Sequence, residues 1–123
     1  QTSKVMFIDP AHRVAAQMSD AGIDTYVYQF HYPSKNPRFL ACHCFDLPFV
    51  FGNFDRWESA PMLAGADLEE ARSISGKLRE CLLRFLERGT PDAGDLVNWP
   101  RYDSKNRKMM FVDIKWEVGA YPD

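Results

Sequence analysis

The sequence has little excess charge of either sign and no long apolar run. Its 123 residues carry 15 basic and 17 acidic side chains, for a formal net charge of −2. This balance gives no electrostatic reason to expect nucleic acid as a partner. No apolar run approaches the roughly 20 residues that a transmembrane helix requires, and Gln1 to Asp9 lack the basic and apolar regions of a secretory signal. We therefore expect no membrane partner.

Cysteine is also scarce, and its spacing argues against two classes of small protein. Three cysteines, an odd number, do not form a disulfide framework, which favours a reducing, cytoplasmic location. Cys42, His43, Cys44 and Cys81 are conceivable zinc ligands. However, paired cysteines in structural zinc sites are usually separated by about two to four residues. Here one residue separates Cys42 from Cys44, so we expect neither a metal nor a cofactor.

The N-terminal third has the pattern of half an α/β repeat. Asp9 and Pro10 are typical of a helix start, and Gly22 is typical of a helix stop. The segment Thr25 to Phe30 is dense in β-branched and aromatic residues on both faces, as a covered strand requires. A helix, a short turn and a buried strand in this order favour the α/β class.

The rest of the chain reads as a long loop, a long helix and two strands. Residues 31–66 contain four prolines and are expected to be a loop, and a loop of this length is usually functional. Residues 67–88 are expected to form an amphipathic helix that starts with Asp67 and Glu70 as a capping box and stops at Gly89. Strands are expected at Lys108 to Ile114 and at Trp116 to Tyr121.

Three histidines are candidates for acid–base chemistry, because imidazole titrates near neutral pH. His12 falls among surface-like positions of the first helix, and we expect it to be solvated. His31 ends the aromatic strand, where a structural role is the simpler interpretation. His43 differs from both, since it lies in a loop that follows the carboxyl end of a buried strand, where ligands bind in open α/β sheets.

The segment Ala41-Cys42-His43-Cys44-Phe45-Asp46-Leu47-Pro48-Phe49-Val50-Phe51-Gly52-Asn53 resembles the histidine loop of type B carboxylesterases, the family of p-nitrobenzyl esterases and cholinesterases. The flanking helix, strand and long helix follow in the family's order, as do Trp99, Pro100, Tyr102 and Asp103. The resemblance covers nearly all 123 residues. It implies an α/β fold, the C-terminal portion of an α/β-hydrolase, formed by one partial domain over residues 1–123.

The resemblance implies that His43 is the catalytic histidine of a carboxylic ester hydrolase. Phe45, Phe49 and Phe51 would wall the substrate pocket, although packing under the loop explains them equally well. Asp46 could pair with a base or cap a turn, and we do not assign it as the triad acid. Cys44 stands where the family usually has Gly, so we expect the loop path to differ slightly here.

The other parts of a serine hydrolase are absent from this sequence. No serine has the Gly-x-Ser-x-Gly setting of the family's nucleophile, which lies far upstream of the histidine. We therefore expect a fragment of a serine esterase that is inactive alone. Its expected partner is the missing N-terminal part or a second copy, possibly as a swapped dimer. The alternative is a non-catalytic, oligomeric interaction module derived from the hydrolase fold. Cys44 as a thiol activated by His43 is a further hypothesis.

Overall fold

Three helices and three short strands make up the secondary structure of the chain, which a computed structural model describes for residues 4–94 and 97–121. The elements are α1 (Asp9–Asp20), β1 (Tyr28–Phe30), α2 (Leu47–Phe51), α3 (Leu68–Arg88), β2 (Lys108–Val112) and β3 (Glu117–Ala120). A π-helical turn, Lys4–Ile8, leads directly into α1, and 3-10 turns cover Phe54–Trp57 and Pro61–Leu63. The predicted loop at 31–66 thus contains one short helix and two helical turns. None of the described helices combines the length and apolar character that crossing a bilayer requires.

The three strands form one mixed sheet in the order β1-β2-β3. β1 runs parallel to β2, with Tyr28 opposite Met110, and β3 runs antiparallel to β2, with Gly119 opposite Met109. All three strands are shorter than predicted. Before β1, for example, the carbonyl of Thr25 accepts a hydrogen bond from the backbone of Tyr102 instead of from a strand. Within the described residues β1 pairs only with β2, so its other edge is open.

Helix α3 follows the sequence prediction most closely, because its boundaries depend on local signals. The side chain of Asp67 accepts a hydrogen bond from the backbone of Glu70, and Gly89 ends the helix with a φ of 75°. Ala71, Ile74, Leu78 and Cys81 of this amphipathic helix are buried, whereas Leu86 is 79% exposed. A helix of 21 residues is about 31 Å long, whereas strands of three to five residues span at most about 17 Å. Helix α3 is therefore longer than any of the three strands.

The core lies between the sheet, α2 and α3, and includes a cluster of aromatic rings. Phe49 is at its centre, packed edge-to-face against Phe45 and Phe54 with ring centroids 5.5 and 5.2 Å away. The buried hydroxyl of Ser75 on α3 donates a 2.6 Å hydrogen bond to the carbonyl of Phe49 and fixes α2 against α3.

Two predictions for α1 are wrong. His12, expected to be solvated, is buried beneath Tyr121, with ring centroids 3.7 Å apart, because the end of the chain returns across α1. Asp9, expected to cap α1, is its first helical residue and makes no cap bond, because the turn Lys4–Ile8 continues into the helix. Its carboxylate instead pairs with Lys4, 2.8 Å away, and accepts a hydrogen bond from Tyr121.

Candidate functional site

His43 lies at the corner of a tight turn formed by residues 42–45. The turn is closed by a 3.1 Å hydrogen bond from the backbone N–H of Phe45 to the carbonyl of Cys42. Of its two central residues, only Cys44 has a positive φ, which is the signature of a type II turn. His43 is therefore the first central residue, and its side chain is exposed.

Cys44 has a backbone conformation that suits glycine. Its φ is 65°, in the left-handed region, which costs a residue with a Cβ roughly 1–2 kcal/mol. The sequence led us to expect a slightly different loop path where the family has Gly. At this position the chain takes a left-handed conformation that Gly would accept without strain, and a difference in loop path stays a prediction. The turn is thus a strained element that the surrounding structure must hold in place.

Asp46 links this turn to β1. The Tyr28 hydroxyl donates a 2.9 Å hydrogen bond to Asp46 Oδ2. Burial raises the pKa of Tyr28, and the negative charge of Asp46 raises it further, so the phenol remains a donor. A hydrogen bond to a charged group contributes about 1.5–3 kcal/mol, which is comparable to the strain at Cys44. The side chain of Asp46 makes no helix-cap bond to α2.

A cavity of about 350 Å³ lies beside His43. One wall is β1, from Tyr28 to Phe30, and the opposite wall is the loop from Ala41 to Cys44. Phe7 lies over the imidazole, with ring centroids 4.7 Å apart and planes inclined by 17°. His43 therefore faces an open space at the carboxyl end of a parallel strand, which is where α/β proteins bind their ligands.

The three phenylalanines predicted to wall a substrate pocket, Phe45, Phe49 and Phe51, have different surroundings. Phe45 and Phe49 are fully buried in the core, while Phe51, at the end of α2, is 63% exposed. None of the three, all within the described chain, lines the cavity beside His43. Core packing thus explains Phe45 and Phe49, and a contact of any of the three with substrate stays a prediction.

The remaining histidines and cysteines have mainly structural surroundings. The backbone N–H of His31 donates to the carbonyl of Val112, 2.8 Å away, at the end of β1. Burial raises the pKa of Cys81 to about 11, as expected for a core thiol. Burial also raises the pKa of Cys42. Among the described residues, no three His, Cys, Asp or Glu side chains are close enough together to hold a metal ion.

Sequence reasoning did not find two contacts made near His43, that of Tyr28 with Asp46 and that of Phe7 with the imidazole itself. Tyr28 looked like one of several aromatic positions of a covered strand, and Phe7 lay before the first predicted element. Neither position carries a local signal, because each contact depends on how distant segments fold together. Asp46, an acidic residue three positions after His43, was the sequence feature that could have indicated such a contact.

Known proteins resemble the chain over nearly its whole length. Residues 1–120 match the model of the Carboxylesterase family. Para-nitrobenzyl esterase of Bacillus subtilis (strain 168) is 33% identical over 121 residues, covering 97% of this chain and 24% of that protein. The medium-chain fatty acyl-CoA hydrolase precursor of Anas platyrhynchos is 35% identical over 110 residues, covering 85% of this chain and 18% of that protein.

Solved structures resemble the chain in the same way. A structure of PNB esterase superposes with a TM-score of 0.85 and 29% identity, over 98% of this chain and 24% of that one. A carboxylesterase from Geobacillus stearothermophilus superposes with a TM-score of 0.81 and 25% identity, over 98% of this chain and 25% of that one. The chain therefore spans about a quarter of the length of these proteins.

Proposed function

Because the chain belongs to the carboxylesterase family, we propose that it is the C-terminal part of a carboxylic ester hydrolase in which His43 is the general base. The fold is confirmed as the C-terminal portion of an α/β-hydrolase. The observation that carries the proposal is the exposed imidazole at the corner of a type II turn, beside a cavity at the carboxyl end of β1.

In this reaction His43 carries one proton in each of two steps, formation of the acyl-serine and its hydrolysis. As a serine oxygen bonds to the ester carbonyl carbon, the imidazole takes the serine proton. The imidazolium then gives that proton to the leaving alcohol oxygen as the carbon–oxygen bond breaks. His43 next takes a proton from a water as its oxygen bonds to the acyl carbon, and gives that proton to the serine oxygen as the acyl–serine bond breaks and the acid leaves. Small carboxylic esters are the proposed substrate class.

The nucleophile in this proposal comes from a segment upstream of Gln1. No serine here has the Gly-x-Ser-x-Gly setting, and several serine hydroxyls already serve the fold. Ser19 donates to the carbonyl of Tyr102, Ser34 to that of Met62 and Ser75 to that of Phe49. The chain alone should consequently be no better a catalyst than free imidazole.

We propose that the upstream part of the hydrolase packs on α1 and on the open edge of β1. An open, mainly apolar groove of about 510 Å³ runs between α1 and residues 25–28. Val14 and Met18 of α1 line this groove and are 54% and 40% exposed. A strand with an open edge next to such a surface is suited to further sheet pairing.

Turnover of p-nitrophenyl butyrate tests the proposal. The pure chain and its His43→Ala variant should both remain at the level of free imidazole. Fusing the chain to the upstream three-quarters of the Bacillus subtilis relative, of which it matches 24%, should restore turnover. Hydrolysis of p-nitrophenyl butyrate through a serine nucleophile by the chain alone would contradict the proposal. A folded fusion without turnover would favour the non-catalytic module.

A further inference from the structure

We propose that Tyr28 is a positioning residue for His43 and acts through Asp46. The Tyr28 hydroxyl would hold the carboxylate of Asp46, and Asp46 would hold the turn at residues 42–45 in the conformation that points the imidazole into its cavity. This inference rests on the proposed role of His43 as the base and adds a residue to that same site.

The hydrogen bond from Tyr28 to Asp46, called the tether below, starts from a side chain that is held firmly in the sheet. Tyr28 lies in β1 opposite Met110 of the central strand. Its ring packs edge-to-face on Trp99, with centroids 5.8 Å apart. The Trp99 indole is held in turn by a 3.1 Å hydrogen bond from its N–H to the carbonyl of Val27. The Tyr28 hydroxyl is thus fixed relative to the sheet.

The tether ends one residue beyond the strained turn. The backbone N–H of Leu47 donates to the carbonyl of Cys44, 3.2 Å away, so Asp46 lies inside a second turn that continues the first. The N–H of Val50 then donates to the carbonyl of Asp46 over 2.9 Å and starts α2. A restraint on the carboxylate of Asp46 therefore also restrains the backbone of Cys44.

Burial of Phe45 does not replace this tether. The ring of Phe45, fully buried, determines where the loop lies on the core. The ring does not itself hold the carbonyl of Cys44, which accepts a hydrogen bond from the N–H of Leu47 in the turn that contains Asp46. Because 65° is an unfavourable angle for Cys, the turn should relax once Asp46 is released. The side chain that this relaxation redirects is that of His43.

NMR of the intact 123-residue chain tests the inference. The Hε1 resonance of His43 should show a ring-current displacement, because Phe7 lies parallel to the imidazole at 4.7 Å. Tyr28→Phe should abolish that displacement and broaden the resonance, while His12 and His31 stay unchanged. Adding Cys44→Gly should restore the displacement, since Gly holds a positive φ without a tether. Tyr26→Phe, on the strand's approach and packed on Phe85, is the matched control and should change nothing at His43.

A His43 resonance identical to wild type in Tyr28→Phe would overturn the inference, as would a loss that Cys44→Gly does not restore. If all three histidine resonances collapse in Tyr28→Phe, Asp46→Ala decides between the same outcomes, because it removes the acceptor and leaves the sheet intact. The readout needs no ester hydrolysis. Failure of the tether and failure of the proposed function are therefore separate results.

Discussion

The Nδ1 atom of His12 lies 3.2 Å from the hydroxyl oxygen of Tyr102, and this buried pair joins α1 to the segment that precedes β2. Stacking of Tyr121 on the same imidazole adds the end of the chain to the junction. Burial lowers the pKa of His12 below its ordinary value, and the nearby positive charge of Arg107 lowers it further. Folding therefore favours the neutral form of His12.

The first prediction is a loss of stability in mild acid. The unfolded chain binds a proton at His12 below about pH 6.5, while the folded chain resists it. The free energy of unfolding should thus be constant above that pH and fall as the pH decreases below it. Urea unfolding between about pH 7.5 and 5.5 measures this slope. His12→Asn should flatten the slope and His31→Asn should not, whereas an unchanged slope in His12→Asn would exclude His12 as its source.

Cys44→Gly should stabilise the chain, because Cys44 has a φ of 65°. Relief of left-handed strain, about 1–2 kcal/mol, is partly offset by the larger backbone entropy that Gly loses on folding, about 0.5–1 kcal/mol. We expect a net gain of roughly 0.5–1 kcal/mol in urea unfolding. Cys42→Gly is the control and should destabilise, since Cys42 has no positive φ to relieve. A destabilising Cys44→Gly would mean that the turn is not strained.

Gly119→Ala should destabilise the β2–β3 pair. A Cβ at position 119 would lie 2.4 Å from Cε2 of Phe111, a clash that costs about 1–3 kcal/mol. Gly76→Ala in α3 is the matched control. A Cβ there meets nothing within 4 Å, so that change should stabilise the helix by about 0.5–1 kcal/mol. Tolerance of Ala at 119 would show that Phe111 can move aside.

Self-association should follow from the apolar surface of α1 next to the open edge of β1. Light scattering should show concentration-dependent dimers or larger species of the wild-type chain. Val14→Lys should reduce them, because Val14 is 54% exposed beside the groove. Leu83→Lys, at an exposed position on α3, should have no such effect. A wild-type chain that stays monomeric at high concentration would contradict this use of the surface.

The parts of the structure that sequence reasoning found have local signals. Asp67 and Gly89 mark the ends of α3 through their own capping chemistry, and the histidine loop stands out by its motif. The parts it missed are tertiary pairs. Tyr28 meets Asp46 across 18 residues and His12 meets Tyr102 across 90, and no periodicity connects such positions. Strand lengths were overestimated for the same reason, since apolar residues can be covered by a loop as well as by a neighbouring strand.

In the fused esterase, loss of the hydrogen bond from Tyr28 to Asp46 should have a smaller effect on kcat than loss of His43. Tyr28→Phe should lower kcat and leave KM nearly unchanged, because a misplaced base weakens the chemical step, by up to about 10²-fold for a 1 Å displacement. Adding Cys44→Gly should recover most of that loss. A rise in KM without a change in kcat would indicate that Tyr28 contacts substrate instead.

The most direct test of His43 as the base is the kcat of the fused esterase for p-nitrophenyl butyrate in His43→Ala, measured beside His31→Ala. Loss of the base should lower kcat by at least about 10²–10⁴-fold, while His31→Ala, which alters a structural histidine at the end of β1, should retain nearly full activity. Equal activity of the His43→Ala variant and the parent fusion would contradict the assignment of His43 as the catalytic base.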